Sequence, residues 1–330
     1  MKKITHHFGA DLEWIKNFTN QFGGTIEGNH IVLPENISTG ERYFLECEPG
    51  IVAYYVDVTY QSDFTFIQEN KMHDFIGLYY NLTEGEIKIN TDTFSCNIGR
   101  WLHNMIIIDS ALRSQYEVKS GSRTLALSIF IKKELIIAYF KEYHNQHKKE
   151  LIMNSCRNTN IRTHRMNVES MHALDKLSKI NTNGILFDLN LSGTVNLLIN
   201  DYLKKLSEEN EILEEINEID LFQIISTQKF LVENFKIPYP GNEVIAEKAN
   251  MSKSKFIRLF KRINNDTPGN FFITNKLIKA KELLEENRLS VTQISEQLNI
   301  NNSHFCSMFK CFFGISPKTF IKQIQRYDNN

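Results

Sequence analysis

Over the first 131 residues, short runs rich in β-branched and aromatic residues alternate with Glu-Gly, Pro-Gly and Ser-Gly turns. Runs at 51–60, 75–82, 86–89, 105–109 and 124–131 predict strands. In Glu86-Ile87-Lys88-Ile89-Asn90 the two isoleucines fall on one face, as the two-residue period of a strand requires. Twelve of the 15 glycines precede residue 200, several of them, such as Gly85, Gly99 and Gly121, between these runs. Many short strands with glycine turns predict an antiparallel β-barrel or sandwich over residues 1–131.

Near Lys132 the hydrophobic period lengthens. Residues 133–143 read as a helix and the polar stretch 145–163 as a loop. At 168–179 and 192–207 the apolar residues recur at helical spacing, with Leu198, Tyr202 and Leu206 on one stripe. Residues 208–220 carry seven acids around Leu213, Ile216 and Ile219. That run suits either a solvated helix face or a dimerising helical pair. Residues 132–219 are therefore expected to be a helical linker, and 220–330 a separate all-α domain.

The C-terminal third repeats itself. Residues 245–271 align with 294–320 at a constant offset of 49, without gaps, and nine positions are identical. They include the apolar anchors Ile245/Ile294, Phe256/Phe305 and Phe260/Phe309, the turn residues Asn250/Asn299 and the prolines Pro268/Pro317. Such a register marks a duplicated structural unit. In the first copy, 243–249 predicts a short helix and Asn250 the turn, since Asn tolerates the left-handed conformation. Ser252 or Lys253 opens a second helix, with Phe256, Leu259 and Phe260 inward. In the second copy, Ser290-Val291-Thr292-Gln293 is a capping box, Asn299 takes the turn, and 303–310 is a helix built on Phe305 and Phe309. Two short helices and a tight turn, with a basic second helix, make a helix-turn-helix. The units at 243–261 and 291–310 are joined by a helix over 268–287, which opens with Thr267 as N-cap and Pro268 in its first turn. Two units held apart in one chain suit adjacent major grooves, one turn or about 34 Å apart along a duplex.

Charge confirms the division. The chain is nearly neutral overall, with 38 Lys+Arg and 39 Asp+Glu. Residues 236–330 hold 15 Lys+Arg and 8 Asp+Glu, a net of +7, which leaves −8 on residues 1–235. A basic third on an acidic remainder points to nucleic acid. Five scattered cysteines without a CxxC pair suit neither a disulfide framework nor a zinc finger, and fit a reducing cytosol. Charged residues interrupt the N-terminal stretch, so no signal-peptide core is expected, and the apolar runs are too short to span a bilayer. A cytoplasmic protein without membrane association follows.

Enzymatic chemistry finds no foothold. The histidines, including His6-His7 and the pair His144 and His147, show no metal-ligand spacing with a carboxylate and read as solvent-exposed. No Gly-rich phosphate loop, GxSxG or HExxH occurs, so neither enzyme, metal nor cofactor is expected. Aromatic residues crowd the first 130 positions, with Arg42, Arg100 and His103 among them. They suit an ordinary β-core or a small-ligand cavity.

Residues 220–326 resemble the DNA-binding domain of AraC/XylS-type transcription regulators. The likeness rests on Ile245-Ala246, Met251-Ser252-Lys253-Ser254, Phe260-Lys261, Lys276-Leu277-Ile278-Lys279-Ala280, Leu283-Leu284, Ser290-Val291-Thr292-Gln293-Ile294, Ser303-His304-Phe305, and Phe309-Lys310 through Gly314-Ile315-Ser316-Pro317. The resemblance covers about a third of the chain. It implies a cupin-like N-terminal sensing domain, helices that form a homodimer, and a transcription regulator, as an activator on promoter DNA. Its implied partners are a small-molecule effector and RNA polymerase. By position it puts base contacts on Ser254, Ile257 and Arg258 in the first unit and on Ser303, Cys306 and Ser307 in the second. Arg258 has the best chemistry, because a guanidinium binds guanine O6 and N7 together. Lys253, Lys255, Lys261, Arg262, His304 and Lys310 suit phosphates, as do backbone amides near Thr267, Ser290 and Ser316. The second unit departs from the pattern: Ser307 stands where arginine is common, Asn299-Ile300 where Gly-Phe is common, and its turn-to-helix segment is one residue short. The first unit is therefore expected to dominate specificity. Two other readings stand beside this one. One is an adaptor or regulator controlled by a protein partner; the other, an RNA-binding module, lacks the exposed aromatic platform that stacks unpaired bases.

Overall fold

A computed structural model describes residues 2–91, 95–101, 103–139, 161–208, 218–264 and 266–328. The sequence readings on residues 140–160, with His144, His147 and Cys156, and on the acidic stretch 209–217 lie outside the described residues. The chain divides into two units, Met1–Glu214 and Glu215–Asn330.

The first unit opens with strand β1 (Lys2–His6) and helix α1 (Glu13–Gln21). The strands β2 (Thr25–Glu27), β3 (His30–Val32), β4 (Ser38–Glu48), β5 (Ile51–Tyr60), β6 (Phe64–Gln68) and β7 (Phe75–Asn81) follow. Next come β8 (Ile87–Thr91), β9 (Ser95–Ile98), β10 (Met105–Asp109), β11 (Ser114–Val118) and β12 (Arg123–Lys132). Helix α2 (Lys133–Tyr139), strand β13 (Ile161–His164) and helices α3 (Val168–Leu177) and α4 (Ile185–Glu208) complete it. Among the described residues the strands form two open sheets rather than a closed barrel, in the orders β1-β6-β11-β8-β9 and β13-β10-β7-β12-β5-β4-β3-β2.

Several details differ from the sequence reading. The β1–β6 pair is parallel, because the crossover through α1 and four strands returns the chain in the same direction. Residues 161–163 are not loop: β13 pairs antiparallel with β10, Met105 facing His164 and Ile108 facing Ile161. Helix α4 starts seven residues before the predicted 192. Helix α1 carries Trp14, Ile15 and Phe18 on one buried stripe, a pattern hidden among polar neighbours. His6 is not solvent-exposed: it is 2% exposed among Phe8, Phe18 and Phe66. Burial pushes its imidazole down to about 3, with positive charge on His7 adding to the effect.

The larger sheet has an apolar layer on each face, so its central strands carry near-continuous hydrophobic runs. One layer joins Ile51, Tyr55, Leu78, Tyr80, Leu127 and Ile129 to Leu174 and Leu177 of α3 and to Phe187, Leu191, Val195, Leu198 and Tyr202 of α4. Each such fully buried side chain stabilises by roughly 1.5–3 kcal/mol. The other layer holds Phe44, Tyr54, Tyr60 and Phe130 against α1 and the smaller sheet, through Trp14, Phe18, Phe64 and Phe66. Polar ties pin the helices: Tyr43 donates to Asp188, and Arg100 donates twice to Asp175 at 2.9 Å.

The second unit is helical throughout its described residues: α5 (Glu218–Glu233), α6 (Asn242–Lys248), α7 (Lys253–Asn264), α8 (Pro268–Glu285), α9 (Val291–Gln297), α10 (Asn302–Phe313) and α11 (Pro317–Asp328). The helix pairs α6–α7 and α9–α10 are the two helix-turn-helix units, and α8 joins them.

Candidate nucleic-acid interface

The duplication holds atom by atom. After α6, Asn250 has φ 52°; its amide bonds Glu247 O at 2.9 Å, and the Met251 amide bonds Ala246 O at 2.9 Å. After α9, Asn299 has φ 52°, with bonds to Glu296 O and from the Ile300 amide to Ser295 O, again 2.9 Å each. This pair of bonds closes each helix as a Schellman motif and satisfies carbonyls that the helix end would leave unpaired. Asn is there because it is one of the few side chains that tolerate the left-handed region.

The cores behind the turns repeat too. Phe256 and Phe260 lie 5.5 Å apart, Phe305 and Phe309 5.7 Å apart, and all four are 0% exposed. Phe271 packs on Phe260 at 5.4 Å as Phe320 packs on Phe309 at 5.9 Å. None of these rings is open to stack on a base.

Opposite each phenylalanine pair lies a polar face. A turn of 100° per residue puts Ser254, Arg258 and Lys261 across α7 from Phe256 and Phe260, and all three are exposed. The same rotation puts Ser303, Ser307 and Lys310, also exposed, across α10 from Phe305 and Phe309. Ile257 and Cys306 sit half-buried at the edge of these faces, and Cys306 Sγ lies 3.4 Å from Asn302 Oδ1. His304 is exposed on the flank of α10. The first helix has a cation at the centre of its face and the second has a hydroxyl there, Arg258 against Ser307.

Two of the expected phosphate ligands already hold carboxylates. Lys253 pairs with Glu243, whose carboxyl it draws below the usual range, and Lys255 pairs with Asp220 of α5 at 2.8 Å. Lys261 and Lys310 point outward. The side chain of Arg262 lies outside the described residues. The helix starts are capped as the sequence predicts. Thr267 accepts from Asn270 N at 3.3 Å, Ser316 from Thr319 N at 3.2 Å, and Ser290 and Gln293 form a reciprocal box. At α10 the Asn301 side chain takes the Ser303 amide at 3.0 Å and the His304 amide at 3.5 Å. One or two amides of each start are thereby engaged, and the neighbouring ones stay available to an anion.

Sequence reasoning passed over Lys276, which is 2% exposed in the middle of α8. Its Nζ donates to Leu298 O, at the end of α9, at 2.6 Å, and to Ile237 O at 2.7 Å, and lies 4.7 Å from the Phe272 ring centroid. Burial pushes its ammonium down to about 8. This side chain thus adds a polar tie to the apolar packing of Leu277, Ala280 and Leu284 on Ile294, Leu298 and Phe305 of the second helix-turn-helix. A signal was present: Lys276 stands in the inward register of Phe272, Ala280 and Leu284, where a charge needs a buried partner.

Among the described residues, no group of three His, Cys, Asp or Glu could hold a metal ion, and no helix is long and apolar enough to cross a membrane.

A family model described as a helix-turn-helix domain matches residues 245–323. A Haemophilus influenzae protein described as an uncharacterized HTH-type transcriptional regulator is 34% identical over 83 residues, 25% of this chain and 28% of that protein. The Msm operon regulatory protein of Streptococcus mutans is 29% identical over 114 residues, 34% of this chain and 41% of that protein. The chain thus spans less than half the length of either relative. Among solved structures, the C-terminal domain of the response regulator yesN from Fusobacterium nucleatum is similar at 24% identity and TM-score 0.28, over 29% of this chain and 94% of that one.

Proposed function

From an AraC-type helix-turn-helix domain in the C-terminal unit, we propose that the whole chain is a sequence-specific, DNA-binding transcription regulator. The observation that carries this reading is the pair of outward helix faces on α7 and α10, set on duplicated cores. Each face is polar, exposed and backed by a rigid pair of phenylalanines, which is what a helix entering a major groove requires. Arg258 reads a base, and Ser254, Ile257, Ser303, Cys306 and Ser307 line the two grooves. Lys253, Lys255, Lys261, Arg262, His304 and Lys310 hold phosphates, which fix register without reading sequence. The Lys253–Glu243 pair does not oppose this, since an exposed ion pair exchanges readily for phosphate, whereas Lys255 would first have to leave the partly buried Asp220.

The first unit serves regulation. Ile185, Leu186 and Leu189 on α4 are 74%, 69% and 64% exposed, and Leu197 lies further along the helix at 37%. A stripe of that kind is suited to a second copy of the same helix in a homodimer. The layer between the two sheets is suited to a small-molecule effector. Contact with RNA polymerase on promoter DNA and a cytoplasmic location complete the reading. Enzymatic activity forms no part of it.

Selection of bound duplexes from random DNA at fixed salt tests the proposal. A bipartite motif with half-elements about 10 bp apart is expected, and flat enrichment across the library overturns it.

A further inference from the structure

Arg42 is the odd charge of the first unit. It stands on β4, opposite Val56 of β5, and is 3% exposed. Arg100 and Lys133 each hold a carboxylate at 2.9 Å, and Lys205 holds Asp201 at 3.0 Å. Among the described residues Arg42 forms no ion pair. Its Nη1 donates to Ser38 Oγ at 2.6 Å, its charge lies beside the phenols of Tyr54 and Tyr60, and its Cζ lies 5.7 Å from the Tyr60 ring centroid. Every one of those neighbours is neutral. A guanidinium stays charged at any physiological pH, and a buried charge without a counter-ion is costly.

The layer around it holds buried polar atoms without partners. Trp14 Nε1 and both ring nitrogens of His6 are buried without a hydrogen-bond partner among the described residues. Trp14 packs on Tyr54 at 5.2 Å, and His6 packs on Phe66 at 5.8 Å, which in turn stacks on Tyr116 at 5.0 Å. Trp14 brings one unpaired donor, neutral His6 one donor and one acceptor, and no anion lies among these aromatic groups.

The layer is also open. On β12, Leu127 and Ile129 face the helices and are 1% and 0% exposed. Thr124, Ala126 and Ser128 alternate with them toward the smaller sheet and are only half-buried, although β5 and β7 flank the strand on both sides. Tyr79 and Tyr116, which border the same layer, are half-buried too. The inner face of this central strand reaches solvent over small side chains, which we read as the mouth of a cleft between the sheets.

We propose that this cleft binds a small organic carboxylate with an apolar or aromatic body, its carboxylate seated on Arg42. The guanidinium fork matches a carboxylate in a bidentate pair, and the phenylalanine and tyrosine rings cover the body. The proposal rests on reading the first unit as an effector domain and names the class of that effector.

Isothermal titration calorimetry on the full chain tests it, with benzoate, phenylacetate and hexanoate as probes, their neutral amides as isosteres, and inorganic phosphate. At least one carboxylate is expected to bind saturably with a Kd below about 1 mM, and its amide about tenfold or more weakly. Arg42→Gln is expected to weaken that carboxylate about tenfold or more. Ala126→Leu fills the floor without touching the charge and is expected to weaken it as much. If Arg42→Gln fails to fold, Ala126→Leu and the amide series on the native chain decide. Absence of binding by all three carboxylates, equal binding of an amide, or indifference to both substitutions overturns the proposal. Phosphate binding as tightly as the carboxylate overturns the assigned class. DNA binding by the same preparation is measured alongside. Loss of the carboxylate result with DNA binding intact sinks this site alone, whereas failure of DNA binding with carboxylate bound sinks the DNA reading instead.

Discussion

Asn250 and Asn299 stand 49 positions apart in the chain and share one left-handed backbone angle, φ 52°. Each closes the first helix of its helix-turn-helix, and each sets the direction in which the second helix leaves. With the repeated phenylalanine cores behind it, the turn fixes where the outward face points.

Replacing Asn250 or Asn299 with valine therefore costs about 1–3 kcal/mol, because a β-branched residue resists this angle. Glycine at the same place changes stability far less. Urea denaturation of the full chain, compared across the four variants, checks both statements. Equal loss for valine and glycine would mean that the side-chain amide, not the backbone angle, matters there.

Arg258→Ala weakens binding to the selected duplex by about 1–3 kcal/mol and relaxes preference at one base pair. The double change Ser303→Ala with Ser307→Ala shifts preference less. Competition binding with single-base variants of the duplex reads both effects, and a larger shift from the serine pair would reverse the assigned dominance of the first unit.

Lys261→Ala and Lys310→Ala weaken DNA nearly uniformly across sequences, and each lowers the slope of log affinity on log salt by about 1. A fluorescence-anisotropy salt series provides the slope. A sequence-dependent loss would move these lysines from phosphate to base contact.

Lys276→Met leaves Leu298 O and Ile237 O without their donor, at about 1–3 kcal/mol for the buried Leu298 carbonyl and less for that of the exposed Ile237. The lysine also sets a pH dependence. Burial lowers its folded value from 10.5 to about 8, so between those pH values the unfolded chain binds more protons than the folded one. Stability contributed by this group accordingly rises with pH across that window. Chemical denaturation of the wild-type chain and of Lys276→Met at pH 8 and pH 10 separates the two: the difference between them is larger at pH 10.

His6 works in the opposite range. Its folded value is pushed from 6.5 to about 3, and the ring is neutral in both states above pH 6.5. As pH falls from there toward 3 the unfolded chain takes up a proton that the folded chain refuses, and stability is lost. His6→Phe removes that share of the acid loss. Melting temperatures at pH 7 and pH 4.5 measure it, and parallel curves would assign the acid limb to the carboxylates alone.

The C-terminal unit was readable because its signals are local. A Pro after a Thr, a Ser three residues before a Gln, and an Asn at each turn fix caps and ends through chemistry that operates within one helical turn. Strands 51–60 and 105–109 were readable for the same reason, as runs rich in β-branched and aromatic residues between turns. Helix α1 was not, because Trp14, Ile15 and Phe18 acquire meaning only against Tyr54 and Phe130, which arrive much later in the chain. Strand β13 was hidden likewise: Arg162 and Thr163 look like loop residues until β10 offers its edge. Within the interface, the outward positions came from the family resemblance, and helical rotation agrees with them. Lys276 did not, since its acceptors are backbone carbonyls and leave no mark in the sequence.

The repeated scaffold separates two jobs that a single unit would have to combine. Behind the turns, Phe256 and Phe260 are matched by Phe305 and Phe309, so either unit can lose or gain surface residues without disturbing its neighbour's packing. Ser307 facing the position of Arg258 is what such freedom leaves behind. Under the proposed function, the two matched cores let a few outward side chains on one half change its address on DNA while the fold of both halves stays as it is.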